Sequence, residues 1–92
     1  MLSACYQIIA RGRVQGVGFR YGTSQIAKKM DIDGSVENLN NGTVEIIAQG
    51  NCKVLEQFIK QIKKGPTPYS KVTALQITKI NPEKLVHNFV IK

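Results

Sequence analysis

Apolar residues recur along this chain with two different periods, and the switches between them mark the elements. Residues 5–11, Cys-Tyr-Gln-Ile-Ile-Ala-Arg, are a short apolar-rich run that predicts a strand. The stretch from Gly12 to Gly18 carries three glycines in seven positions and predicts a loop. From about Tyr21 to Lys29 the period becomes helical through Thr23, Ile26, Ala27 and Met30, and Lys28 and Lys29 suit the negative end of a helix dipole. Asp31 and Gly34 then break the pattern.

Val36 to Leu39 and Thr43 to Ala48 flank Asn40, Asn41 and Gly42, and an Asn-Gly pair tolerates the positive φ that a tight hairpin needs. Asn51 can cap a second helix in which Val54, Leu55, Phe58, Ile59 and Ile62 make one apolar stripe. Lys60, Lys63 and Lys64 complement its dipole, and Gly65-Pro66 stops it. Val72 to Ile80, with imperfect alternation, and Asn88 to Lys92 predict two last strands. The order β, α, β, β, α, β with a short extra C-terminal strand predicts an α+β, ferredoxin-like α/β sandwich. Its two helices cover one face of an antiparallel sheet, and the other face is partly open to water.

At 92 residues, 42% of them hydrophobic, the chain is expected to form a single domain spanning 1–92 around an ordinary core. No apolar run approaches the roughly 20 residues of a membrane span, and the first ten residues are too broken by polar positions for a secretory signal. No membrane partner and a cytoplasmic location are therefore expected. Thirteen basic against six acidic residues give a formal charge of +7, which favours anionic partners without choosing among metabolite, nucleic acid and membrane surface. Cys5 and Cys52 lack any CxxC or Cys/His spacing, so no zinc site is expected, and isolated thiols in a reducing compartment usually stay unbridged. If the first and third strands are antiparallel neighbours, the start of one lies beside the end of the other. Cys5 then approaches Cys52, and a bridge is geometrically conceivable.

Fold class assigns no function, because this architecture hosts electron carriers, RNA binders, metal carriers and hydrolases. The chemistry is concentrated in Gly12-Arg13-Val14-Gln15-Gly16-Val17-Gly18-Phe19-Arg20, between the first strand and the first helix. Glycines there can turn several main-chain N–H groups inward where the helix dipole favours an anion, and Arg20 completes a phosphate cradle. Two better-known phosphate loops do not fit. Phe19 and Arg20 follow Gly18 where a Walker loop needs Lys and then Ser or Thr, and Tyr21 stands where a dinucleotide fingerprint starting at Gly16 needs glycine.

The run from Gly12 to Arg20 resembles the first signature of the acylphosphatase family. Gly34-Ser35-Val36-Glu37-Asn38-Leu39-Asn40-Asn41-Gly42-Thr43-Val44, followed by Gly50, resembles the second. Length, element order and the Gly65-Pro66 break are similar too, so the resemblance covers essentially the whole chain. It implies hydrolysis of the mixed anhydride of a carboxylic acid and phosphate, with a small-molecule acyl phosphate and inorganic phosphate as ligands. No metal, cofactor or nucleic acid is expected to take part, and the enzyme is expected to be a monomer. The resemblance further implies a phosphate held by the amides of Gln15, Gly16, Val17, Gly18, Phe19 and Arg20 and by the Arg20 guanidinium, with Asn38 positioning the attacking water.

Residue chemistry agrees with those roles. Arginine's planar fork matches two phosphate oxygens but cannot act as a base, and an asparagine amide can orient a water but cannot take its proton. Neither signature holds a histidine, His87 reads as a loop residue, and Asp31, Asp33, Glu37 and Glu45 show no paired arrangement. The water's proton is thus expected to pass to the substrate's own phosphate, since the carboxylate already leaves easily. Two positions depart from the family pattern. Ser35 stands where an aromatic is usual, which could loosen packing beneath Asn38. Asp31 stands where glycine commonly closes the first helix, at small cost because aspartate visits the left-handed region. Two rival readings are an RNA-recognition motif, which would need strand-borne aromatics such as Tyr6 and Phe89, and a phosphate-binding regulatory role on the same cradle.

Overall fold

Pairing on both sides makes the first strand longer than its apolar run. The computed structural model describes residues 3–81 and 87–92. In it β1 (Ser3–Arg13) pairs with β3 (Val44–Asn51) from Ser3 opposite Asn51 to Ala10 opposite Val44, and with β4 (Lys71–Ile80) from Cys5 opposite Ile80 to Arg13 opposite Lys71. A register shift between Arg11 and Gly12 carries β1 two residues into the predicted loop, as bulges at strand ends do. β2 (Asp33–Asn38) pairs antiparallel with β3 through the predicted hairpin. β5 (Phe89–Ile91) lies outside β2 and parallel to it, giving the order β4-β1-β3-β2-β5. The four long strands are antiparallel as predicted; the short fifth makes the sheet mixed. It runs opposite to β4, as β2 also does, and so meets β2 in the parallel sense.

Both helices cover one face of this sheet. α1 (Phe19–Lys29) packs on β2 and β5, and α2 (Cys52–Lys64) packs on β3 and β4. Between the layers lie Ile8, Ala10, Val36, Ile46 and Ala48 from the strands and Phe19, Ala27, Leu55, Phe58 and Ile62 from the helices. Leu55, Phe58 and Ile62 are fully buried, at about 2 kcal/mol for each such side chain. The predicted Asn51 cap also forms, its Oδ1 accepting from Lys53 N at 2.9 Å, but a cap contributes only about 1 kcal/mol. Burial therefore holds α2 in place, and the cap sets where it begins. Tyr6 packs against this core and Phe89 is 3% exposed within it. The aromatics an RNA-recognition motif would need are thus turned away from the open face.

α1 begins two residues before the predicted Tyr21. Gly18, at φ 74°, turns the chain, and Phe19, 1% exposed, is drawn into the core beside Val14. At the other end Asp31 takes a left-handed φ of 55°, and Ile32 N–H reaches back to Ala27 O at 2.8 Å, the closure expected of glycine there. β1 and β3 are antiparallel neighbours, but Cys5 sits opposite Gln49 and Cys52 lies three residues further, about 10 Å along the strand. No disulfide joins them. No helix among the described residues is long and apolar enough to cross a membrane.

Candidate active site

The β1–α1 loop, the β2–β3 hairpin and the end of β5 meet around a cleft of about 270 Å³ whose lining includes Gly16, Gly18, Phe19, Arg20 and Asn38. Gly16 and Gly18 have φ of 76° and 74°, left-handed values that let alternate peptides turn their N–H groups to one side, the geometry of an anion-binding nest. Among the described residues none accepts from the main-chain N–H groups of Gln15 to Gly18. α1 follows directly, with no side-chain cap and no acidic residue in its first turn. Its positive end is therefore left uncompensated at the cleft.

Among the described residues Arg20 is the only charged side chain lining this space. One Nη donates to the main-chain oxygen of Lys92 at 2.9 Å, which fixes the guanidinium at the cleft and leaves its remaining donors for a ligand. Asn38, the last residue of β2, faces the same cleft, and its side-chain amide has no hydrogen-bond partner among the described residues. All the predicted site residues are thus gathered in one region. Gln15 is the exception in kind, because its side chain points away into the hairpin. There Nε2 donates to Leu39 O and Thr43 O, each at 2.8 Å, tying the glycine loop to the hairpin that carries Asn38.

Two supports have no signal in the sequence. Thr67, beyond the Gly65-Pro66 helix stop, donates its Oγ1 to Val17 O at 2.9 Å and so braces the loop from beneath. Lys92 O anchors Arg20 from 72 residues away. The expectation that Ser35 would loosen packing beneath Asn38 is corrected. Residues 35 and 38 differ by an odd number along a strand and project to opposite faces. Ser35, 8% exposed, lines a separate hollow of about 380 Å³ with Cys5, Gln7 and Ile47.

Two of the nearby acids face partners of their own. Glu45 accepts from Gln7 at 2.9 Å, and Asp33 lies 4.0 Å from the exposed His87. Among the described residues no group of three or more His, Cys, Asp or Glu is placed to hold a metal ion. The cleft can therefore bind an oxyanion by amides and one guanidinium and orient a water, and among the described residues its lining holds no carboxylate or imidazole.

The sequence model described as Acylphosphatase matches residues 6–91. The acylphosphatase of Ligilactobacillus salivarius strain UCC118 is 49% identical over 86 residues, 94% of each chain. The crystal structure of acylphosphatase from Bacillus subtilis superposes with a TM-score of 0.91 at 41% identity, covering 99% of both chains. An acylphosphatase structure from Coxiella burnetii gives 0.90 at 27% identity, over 98% of this chain and 93% of that one.

Proposed function

Since this chain belongs to the acylphosphatase family, whose members hydrolyse the carboxyl–phosphate anhydride of acyl phosphates, we propose that residues 1–92 act as one such catalytic domain through Arg20, Asn38 and the amides of Gln15 to Arg20. The observation that carries this reading is the meeting, in one cleft, of unused loop N–H groups, an anchored guanidinium and an unpartnered amide. The substrate phosphate lies in the nest, with its oxygens on the amides of Gln15 to Arg20 and on the free Nη and Nε donors of Arg20. These donors are already oriented, so charge that builds on the equatorial oxygens meets fixed partners without reorganisation.

Asn38 holds a water on the face of phosphorus opposite the acyl oxygen. Attack forms the new P–O bond as the bond to the acyl oxygen breaks. The carboxylate leaves with the bonding electron pair, and the water's proton passes to a phosphate oxygen. No side chain has to act as a base, in keeping with a lining that among the described residues holds no carboxylate or histidine. Products are a carboxylate and inorganic phosphate. The enzyme acts alone on small acyl phosphates in the cytoplasm.

The test is hydrolysis of benzoyl phosphate by the purified protein with a chelator present, where turnover is expected to be undiminished, compared with two variants. Arg20→Ala should lower kcat by at least about 10³-fold and weaken inhibition by inorganic phosphate, because it removes charge stabilisation in both ground and transition states. Asn38→Ala should lower kcat while phosphate inhibition stays nearly unchanged, the pattern of an interaction made only in the transition state. Circular dichroism and melting confirm that both variants fold. A folded Asn38→Ala protein with parental kcat, or an Arg20→Ala protein that binds phosphate as tightly as the parent, overturns these roles.

A further inference from the structure

Among the described residues four large apolar side chains are exposed: Tyr21 at 65%, Tyr69 at 76%, Ile77 at 44% and Ile91 at 47%. Single exposed hydrophobics are ordinary on any surface. Two of these four, however, line the same cleft as Arg20 and Asn38, although they come from opposite ends of the chain. Tyr21 stands in the first turn of α1 next to Arg20, and Ile91 ends β5 next to Lys92. The Arg20 Nη to Lys92 O hydrogen bond at 2.9 Å therefore joins their chain neighbours and holds the two side chains at one mouth. Among the described residues no charged side chain but Arg20 lines the cleft. The guanidinium and the amides are matched to the phosphate, so a second anionic group on the acyl portion would find no cation left in the cleft. An uncharged apolar group would find a phenol ring and an isoleucine.

We propose that Tyr21 and Ile91 form an acyl-group subsite that selects uncharged, apolar, ring-bearing acyl phosphates over small ones such as acetyl phosphate. The subsite rests on the reading of the cleft as the phosphate site given above. Stacking on one aromatic side chain changes affinity by about two- to tenfold, and each methylene in an apolar pocket by about tenfold or more. Neither residue is buried, so truncating them leaves the core intact.

The experiment measures calorimetric binding of two non-hydrolysable isosteres, phenacylphosphonate for benzoyl phosphate and acetonylphosphonate for acetyl phosphate, with inorganic phosphate as reference. The parent protein is expected to bind the phenacyl compound about tenfold more tightly than the acetonyl one. Tyr21→Ala and Ile91→Ala should each narrow that gap about threefold, with phosphate affinity moving less than twofold, and Tyr21→Phe should keep the gap because it keeps the ring. Equal affinities for the two phosphonates in the parent, no binding of either, or a gap that survives the Tyr21→Ala/Ile91→Ala double variant would each overturn the subsite. A gap of the expected size in a protein that fails to hydrolyse benzoyl phosphate would uphold the subsite and overturn the catalytic assignment, so the two readings fail separately.

Discussion

Two glycine-bearing segments, the loop between β1 and α1 and the turn between β2 and β3, bond in opposite ways. The β1–α1 loop holds Gly16 at φ 76° and the β2–β3 turn holds Gly42 at φ 87°, and a Cβ added at either would meet nothing within 4 Å. In the turn the chain closes on itself. Leu39 N donates to Thr43 O at 2.9 Å, Gly42 N to Leu39 O at 3.2 Å, and Thr43 Oγ1 to Asn41 Oδ1 at 2.6 Å. In the loop the N–H groups of Gln15 to Gly18 are left unused by the described residues, and the segment is held from outside by the Gln15 side chain and Thr67. The turn spends the N–H groups of Leu39, Gly42 and Thr43 on its own acceptors. A loop braced through its side chain and a carbonyl keeps its N–H groups free for a ligand.

The two glycines allow this contrast to be broken directly. Gly16→Ala and Gly42→Ala impose the same left-handed strain on an alanine in open space, so each should cost about 1 kcal/mol of stability. Thermal melting should fall by a similar amount in both, about 4–8 °C for a chain of this size. Only Gly16→Ala should damage catalysis, by about 10²-fold in kcat/KM, the loss typical of one misplaced oxyanion donor. Gly42→Ala should stay within twofold of the parent. Similar kinetic losses in the two variants would show that the loop and the turn do not differ in the way their hydrogen bonding indicates.

A smaller effect is expected where the two segments are joined. Gln15→Ala keeps the main-chain amide in the cradle and removes the side chain that bonds Leu39 O and Thr43 O. The amides and Asn38 can then shift relative to each other, and a displacement well under an ångström should lower kcat about tenfold. Stability should fall by about 1–2 kcal/mol through the lost bonds. Steady-state kinetics and melting on the same preparation give both values. Parental kcat in a destabilised Gln15→Ala protein would make the brace purely structural.

The smallest expected effect comes from an unsatisfied polar group of another kind. Thr23 Oγ1 is fully buried in α1 and has no hydrogen-bond partner among the described residues. Unlike the loop amides it is enclosed by the core, out of reach of any ligand. Thr23→Val removes the unpaired hydroxyl at almost constant shape and should raise stability by about 1 kcal/mol with kinetics unchanged. A lower melting temperature would mean that the hydroxyl contributes something its surroundings do not account for.

The sequence by itself determined the features whose causes are local. The apolar stripe of α2, its Asn51 cap, the Asn-Gly hairpin and the left-handed aspartate closing α1 each depend on residues within about five positions, the range over which helix and turn bonding operates. The glycine loop was legible for the same reason, since the left-handed turns of an anion-binding nest are made from consecutive peptides. The opposite facing of Ser35 and Asn38 was also available from strand alternation alone. Tertiary structure decided the rest. β1 grew past its apolar run because partners on both sides extended it, α1 started early because Phe19 was drawn into the core, and β5 became parallel because it returned at the far edge beside β2. The contacts that complete the site, Gln15 to Leu39, Val17 to Thr67 and Arg20 to Lys92, span 24, 50 and 72 residues. Periodicity states which side of its own element a residue faces. Which distant residue stands opposite is settled only when the layers close around one core.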